Sequence, residues 1–526
     1  MSIYQKFFEE ELHLFPSNNE WLNLSQYKYL NNQLENIYDP SHIALQKKLY
    51  KKYLNKIRNK KLKSIYDKCL EYVCTINLVE HNYNFNLTPL NHQENLIEYY
   101  VESAAGNSVF VFKTKQNYHE FITKVSKLDC LVESIIKNME RGISLKYTLP
   151  KIIAIELESQ FKSILSNKSY RNNNVKFELG YNYNDKLDDI FIPILEKLIK
   201  FIKFYKKYCR QSIGMCKLPN GINEYSFLVR SQLTLKKVNI QEIHKYGIKE
   251  VKRIHQKMIE IKDKLEFKGS LKQFNKYLHQ REDLKFNSSD EIIESYQKIY
   301  NQINKTIIKN QFNENVKEKC AIVKVPKYNE MFSSEAYYMP GDIDGQRKGK
   351  FYINMKDITD NNKIEVESLF LHEAVPGHHY QITYVNQNPK IPMFIKTLES
   401  CAYHEGWALY CELLGEYQTL ESYYGKLVME MVRALRLVVD TGIHYYGWSY
   451  QKTIDYYKKY SFNGDLQIKT QILRYIALPG QALCYKIGEK LILDLKKKYE
   501  GNIKQFHTKI LEDGALPLWL LKEKFD

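Results

Sequence analysis

The segment 371–381, LHEAVPGHHYQ, sets a histidine beside a glutamate, His372 and Glu373, and follows them with two more histidines, His378 and His379. A His-Glu pair on a helix with a second histidine four residues on is a pattern with a mechanism. One helix face offers two nitrogens to a zinc ion, and the glutamate takes a proton from the water that the metal acidifies. Here position 376 is Pro376, so the second half of the pattern fails on a regular helix. The six residues from His372 to His378 would rise about 9 Å, too far for two ligands of one ion. Pro376 lacks a backbone donor and disfavours helix at Val375, while Gly377 makes a break easier. The spacing therefore predicts an interrupted helix. If two residues loop out, His378 takes the place of the missing ligand; if three do, His379 takes it.

A third ligand is available downstream. Glu405 lies 27 residues after His378, in the stretch 397–412, TLESCAYHEGWALYCE. Glu405 and Glu412 are seven apart and share a face with Cys401 and Ala408. Two carboxylates turned inward on an apolar helix need positive charge to meet them, from a metal ion or from a buried salt bridge. His404 reads as a neighbour of this site. Further on, Arg433, Arg436, Asp440 and His444 form a polar stripe along an apolar helix, costly unless the groups pair or line a cavity. The segment 474–488, RYIALPGQALCYKIG, adds Tyr475, Gln481 and Tyr485; a tyrosine hydroxyl close to a metal is a donor for the oxyanion of a tetrahedral intermediate.

The elements that must hold these residues read as mostly α. Glycine and proline are sparse, at 21 and 13 in 526 residues, and helical periodicity fills most windows. The run 45–68, LQKKLYKKYLNKIRNKKLKSIYDK, reads as one amphipathic helix with a lysine-rich outer face. The segments 190–209 and 240–265 read as helices, the latter started by Asn239 with Glu242 three residues on. LPNGINEY, 218–225, reads as a turn, and 272–291 as a helix, a break and a cap for the next helix. One region departs from helix. AIVKV and KFYINM, within 320–355, read as strands around the turn chemistry of PGDIDG. A small sheet thus lies next to the His-Glu helix, and the strand just before that helix offers an edge for an extended peptide.

Composition bounds the rest. Hydrophobic residues are 44% of the chain, enough for a sizeable core. The net charge of +17, with 78 Lys+Arg against 61 Asp+Glu, reads as lysine on a solvated surface, since no nucleic-acid-binding signature accompanies it. Nine scattered cysteines with no C-x-x-C pair argue against a disulfide scaffold and for a reducing compartment. No secretory leader or apolar run of about 18 residues is visible, so the expected location is the cytoplasm, without a membrane span.

HEAVPGHHYQ, EGWALYCE, DTGIHYYGWS and RYIALPGQALCYKIG occur in this order in the bacterial domain-of-unknown-function-885 family, and the chain resembles that family. The resemblance is firm over residues 200–526 and looser before them. YYMPGDIDGQRKGKFYINM is similar to the family's segment ahead of the site, except that Gln346 and Lys348 replace its small residue and proline. The family is placed among zincin-like metallopeptidases. The resemblance implies a large helical fold with a deep central cleft, similar to angiotensin-converting-enzyme-like and thermostable-carboxypeptidase-like peptidases. It implies one catalytic unit over 1–526, with a helical part at 1–200 and a peptidase-like part at 201–526. It implies one zinc ion on His372, His378 and Glu405, with His379 the rival of His378; a His/His/Glu set also suits manganese or cobalt. It casts Glu373 as general base, Tyr475 as stabiliser of the intermediate with His444 assisting, and Arg436, Gln481 and Tyr485 as contacts for a peptide substrate. The expected function is zinc-dependent peptide hydrolysis, carboxypeptidase- or dipeptidase-like in direction. The alternative is an inactive descendant that binds a peptide or a partner.

Overall fold

The computed structural model describes residues 1–110, 112–175, 177–313, 316–327, 330, 335–345 and 347–526, with the backbone only at 360. Gln346, one of the two departures from the family pattern, lies outside the described residues. The chain is mostly helical with one three-stranded sheet. It divides into two compact units. The first is 1–225 with 446–449 and 476–478; the second is 226–445 with 450–475 and 479–526. Residue 200 lies inside the helix Tyr183–Tyr205, and the boundary between the two units falls at Tyr225 and Ser226.

The first unit is built from helices. The lysine-rich run is two of them, not one. Pro40–Arg58 buries Leu49, Tyr50, Tyr53, Leu54 and Ile57 on one stripe and leaves Lys48, Lys51, Lys52 and Lys56 exposed. The helix ends at Asn59, and Ser64 starts Ile65–Glu80 through a capping box with Asp67. Two reciprocal side-chain bonds to orphan backbone N–H groups fix a new helix start there. The periodicity runs on across the break, which is why the sequence reads as continuous.

In the second unit, helix α1, Ile240–Lys264, begins where Asn239 accepts the backbone N–H of Glu242. The sheet follows: β1 Ala321–Lys324, β2 Ala336–Met339 and β3 Lys350–Ile353, in the order β1-β3-β2. β1 pairs with β3 in parallel and β2 with β3 antiparallel, Tyr338 opposite Phe351. The sheet next to the His-Glu helix is therefore present, but the strand before that helix, β3, is central and has no open edge. The edge strands are β1 and β2, the latter AYYM. The four residues of β2, set between segments rich in turn formers, carry too little pattern to mark a strand.

Helix α2, Val366–Glu373, ends at the glutamate, and α3, His378–Gln387, restarts at the histidine. Helix α4 is Cys401–Glu412, α5 Leu420–His444, α6 Asp465–Ala477 and α7 Cys484–Lys498. α4 and α7 cross at a pair of glycines. A Cβ on Gly406 would sit 2.4 Å from Gly488 Cα, and one on Gly488 2.1 Å from the Ala402 carbonyl oxygen. Only hydrogen fits at that crossing, and the close approach sets Glu405 on α4 beside the first turn of α7.

Candidate metal centre

The break between α2 and α3 is built into the sequence and locked by its surroundings. A Cβ at Gly377 would lie 1.9 Å from the His372 carbonyl oxygen and 2.4 Å from that of Leu371. No side chain fits, so the chain can fold back on the end of α2 only with glycine there. The Trp407 indole donates to the Pro376 carbonyl at 2.8 Å, and Gln381 N–H closes on the Gly377 carbonyl at 3.0 Å. The helix axis restarts beside its own end, and His378 returns to His372 with ring centroids 5.0 Å apart and planes at 89°.

Three side-chain atoms converge. Glu405 Oε2 lies 3.4 Å from His372 Nε2 and 3.7 Å from His378 Nε2, and one ligand atom from each residue lies within 4.8 Å of the others. Ligands about 2.1 Å from a tetrahedral zinc stand about 3.4 Å apart, so the spacing fits an ion at their centre. Among the described residues, buried Glu405 Oε2 has no hydrogen-bond partner, the state expected of an oxygen placed for a cation. Burial alone would push His372 down, yet the carboxylates of Glu405 and Glu412 raise it to about 9. Burial likewise opposes the charge on Glu405, and His372 and His378 hold its carboxyl well below the usual range.

Glu412 completes the set from behind. Its Oε1 accepts from His372 Nδ1 at 2.8 Å, and its Oε2 accepts from the Ser368 hydroxyl at 3.1 Å. That bond fixes the tautomer of His372 and turns its Nε2 toward Glu405, the usual outer support of a metal-bound imidazole. Its inward direction was legible in the seven-residue spacing; the partner was not, because it depends on how α2 packs against α4. Glu412→Gln is expected to keep the fold and to weaken zinc binding about 10- to 100-fold, measured by competition with a chelator. Unchanged affinity would remove Glu412 from the site.

Glu373 lies at the end of α2, and its Oε2 accepts the backbone N–H of Tyr338 on β2 at 2.9 Å. The edge strand thus orients this carboxylate, a contact that no sequence signal announced. His379 points elsewhere: its Nε2 donates to the Glu318 carbonyl at 3.0 Å and its Nδ1 accepts from the Tyr338 hydroxyl at 3.1 Å. Both nitrogens are engaged, and burial pushes the ring's pKa down. His404 gives its Nδ1 to Gln381 Oε1 at 2.9 Å, and burial, with His378 close by, pushes it down to about 4.

The polar stripe on α5 divides. Asp440 accepts the Gly480 N–H with both oxygens, at 3.2 and 3.0 Å. His444, fully buried, donates from Nε2 to the Tyr475 backbone carbonyl at 2.8 Å. Its contact is with the backbone of Tyr475 and not with the hydroxyl. Tyr475 is 1% exposed and gives its hydroxyl proton to Gln471 at 3.0 Å. Burial pushes Tyr485 up to about 12, with the Glu405 carboxylate adding to the shift, so Tyr485 is a tyrosine within electrostatic reach of the centre. The Arg436 guanidinium lies 4.2 Å over its ring. Gln481 bridges Arg474 Nη2, at 3.1 Å, and Cys401 Sγ, at 3.5 Å.

The chain belongs to a bacterial family of proteins of unknown function, DUF885, whose model matches residues 16–525. Within that class it is similar to a "putative lipoprotein" of Colwellia psychrerythraea, with 22% identity, a TM-score of 0.89, and 99% of this chain and 97% of that one covered. It is also similar to a "putative lipoprotein of unknown function" of Shewanella oneidensis, with 15% identity, a TM-score of 0.75, and coverage of 99% and 98%. At such identities the likeness is one of fold. No curated protein matches the chain. Among the described residues, no helix is long and apolar enough to cross a membrane.

Proposed function

We propose that the protein is a metal-dependent peptidase of zincin-like fold, with the site facing a cleft. The observation that carries the reading is the convergence of His372 Nε2, His378 Nε2 and Glu405 Oε2 with Glu373 one residue from the first ligand. Zinc, one ion per chain, is the cation that this donor set suits first. Bound there, it supplies a Lewis acid that polarises a carbonyl and acidifies water. Glu373 does the proton work. Its Oε2 is held by Tyr338 N–H, which leaves Oε1 to take a proton from the attacking water and pass it to the leaving amine. Glu412 keeps the Nε2 lone pair of His372 facing the centre. β2 is an edge strand that already turns one N–H toward Glu373, so an extended peptide added along it would bring its backbone to the reacting groups.

Among the described residues none of the nine cysteines forms a disulfide, which favours the cytoplasm, although the two similar structures come from proteins described as lipoproteins. The surface charge supports no specific nucleic-acid partner.

The test combines metal analysis with cleavage of a peptide library. The purified chain is expected to hold one zinc and to cut peptides. Glu373→Gln is expected to keep the zinc and to lose about a thousandfold in cleavage rate, the middle of the 10²–10⁴ range that general base catalysis contributes. Zinc bound with no peptide cut would favour an inactive, peptide-binding descendant. Cleavage undiminished by Glu373→Gln would remove the general base from the scheme.

A further inference from the structure

The first unit holds a cavity of about 780 Å³, walled only by residues of that unit. Its volume lies in the range of about 300–1,000 Å³ typical of small-molecule sites. None of its residues belongs to the metal centre. Three helices and the segments that join them form the wall: Pro40–Arg58, the end of Ile65–Glu80, and Leu128–Ser144. The stretch EHNYNFN, 80–86, runs along it and alternates amides with rings: Asn82, Tyr83, Asn84, Phe85, Asn86. Phe15, Tyr38 and Tyr50 add further rings from other segments. Tyr50 spends its hydroxyl on Glu11 at 3.2 Å, so what it offers the cavity is its ring.

The polar lining is rich in amides with bonding capacity to spare. Asn77, Asn84 and Asn138 each donate from Nδ2 to the protein: to the Val73 carbonyl at 2.9 Å, to Glu224 Oε1 at 3.2 Å and to the Tyr38 carbonyl at 3.4 Å. These bonds fix which way round each amide sits. Among the described residues each Oδ1 is left without a donor, and none of the three is buried. The side chains of Gln46, Asn82 and Asn86 make no hydrogen bond among the described residues. An amide both gives and accepts hydrogen bonds. Six of them among aromatic rings suit a ligand whose polar groups do the same and whose remaining surface is C–H. A sugar is such a ligand: its hydroxyls give and accept, and its apolar face packs on an aromatic plane. Two other classes fit less well. A phosphate asks for clustered cations or an open helix N-terminus; here Lys47 and Arg141 share the lining with the Glu80 carboxylate, and the helix start at Pro40 is already capped by Asp39. Capture of an extended peptide by strand addition needs a strand edge, and these walls are helices and turns. We propose that the first unit binds a neutral saccharide in this cavity, with a ring face on the aromatic residues and hydroxyls on the amides.

The experiment titrates the full chain by calorimetry with glucose, galactose, mannose, N-acetylglucosamine, maltose, cellobiose and chitobiose. Adenosine monophosphate and trialanine serve as comparison ligands. At least one saccharide is expected to bind with a dissociation constant of about 1 mM or tighter. Asn82→Ala removes an amide that the protein itself does not use, and is expected to weaken that binding about fivefold, the worth of one neutral hydrogen bond. Ala44→Trp puts a bulky ring into the cavity from an exposed position of the helix Pro40–Arg58, and is expected to weaken it about tenfold or more. Asn82 is exposed as well, so its replacement leaves the packing untouched and keeps the test decisive if the tryptophan disturbs the helix; a thermal melt of each variant reads this. No saccharide bound at about 10 mM, or binding undiminished by either variant, would overturn the proposal. So would adenosine monophosphate or trialanine bound in place of every sugar and lost on Ala44→Trp.

Discussion

Replacing His378 with alanine is expected to strip the chain of zinc, and replacing His379 is expected to leave one ion per chain. The two residues are neighbours of the same type, so composition and charge are controlled and geometry alone separates them. His378 Nε2 faces Glu405 Oε2 at 3.7 Å beside His372. His379 has both nitrogens committed, to Tyr338 and to the Glu318 carbonyl. Loss of a direct ligand removes a metal bond and leaves Glu405, in the absence of metal, with a single imidazole. The fall in affinity should therefore exceed the 10- to 100-fold typical of an outer-shell partner. His379→Ala loses the neutral hydrogen bonds to Tyr338, Glu318 and Thr383, about 1 kcal/mol each, and so should show a drop in stability at full metal occupancy. Metal analysis after dialysis, paired with a thermal melt of each variant, reads both. Zinc lost on His379→Ala and kept on His378→Ala would reverse the assignment and mean that the chain loops out three residues, not two.

The second large effect is on folding. Glu430 is 2% exposed and is the hub of a buried charge network that joins three helices. It receives Lys426 from its own helix α5, Arg253 from α1, and Lys486 from α7, the last at 3.1 Å. The cations override the burial penalty and hold its carboxyl well below the usual range. Glu430→Gln keeps the shape and removes the charge, leaving Lys426 buried without its anion, while Lys486 keeps Glu250 and Glu489. Breaking such a pair on one side costs about 3–5 kcal/mol. The expected result is a clear fall in the urea midpoint of the second unit, followed by intrinsic fluorescence. Asp494→Asn is the control: it breaks the Lys490–Asp494 pair on α7, whose side chains are 44% and 43% exposed, and should cost no more than about 0.5 kcal/mol. Equal midpoints for the two variants would show that water reaches the network and that the helices are held by apolar contact alone. The outcome bears on the site, since α7 carries Tyr485 one residue before Lys486 and α5 carries Arg436 six residues after Glu430.

How much of this was legible beforehand depends on whether a feature is local in sequence. Helix α1 and its Asn239 cap follow from periodicity and a single side-chain bond, so they read correctly. The Pro-Gly interruption was legible too, because a proline and a glycine constrain their own backbone wherever they stand. Even here the sequence left two histidines open, since one residue more or less in a loop is not a periodicity. The carbonyls of Leu371 and His372 close the space at Gly377, and they set the count. The lysine-rich run misled in the opposite sense: its apolar spacing continues through a point where Ser64 and Asp67 restart the helix. β2 could not be seen, because four residues flanked by turn formers carry no reliable alternation. Yet it is β2 that holds Glu373.

By itself the sequence determined a mostly helical chain of one bacterial family, a broken His-Glu helix, and a set of nitrogen and carboxylate donors at metal-binding spacing. Tertiary structure decided which donors meet. It delivered His378 and withheld His379, placed Glu412 behind His372, and gave Asp440 and His444 to the backbone around Gly480 and Tyr475. It also set the Arg436 guanidinium over the Tyr485 ring, with no carboxylate partner among the described residues. The physical reason is range. Helix periods, caps and proline constraints act within a few residues, whereas a ligand set, a salt-bridge hub or an unpaired cation is defined by atoms brought within about 3–4 Å by helices distant in sequence.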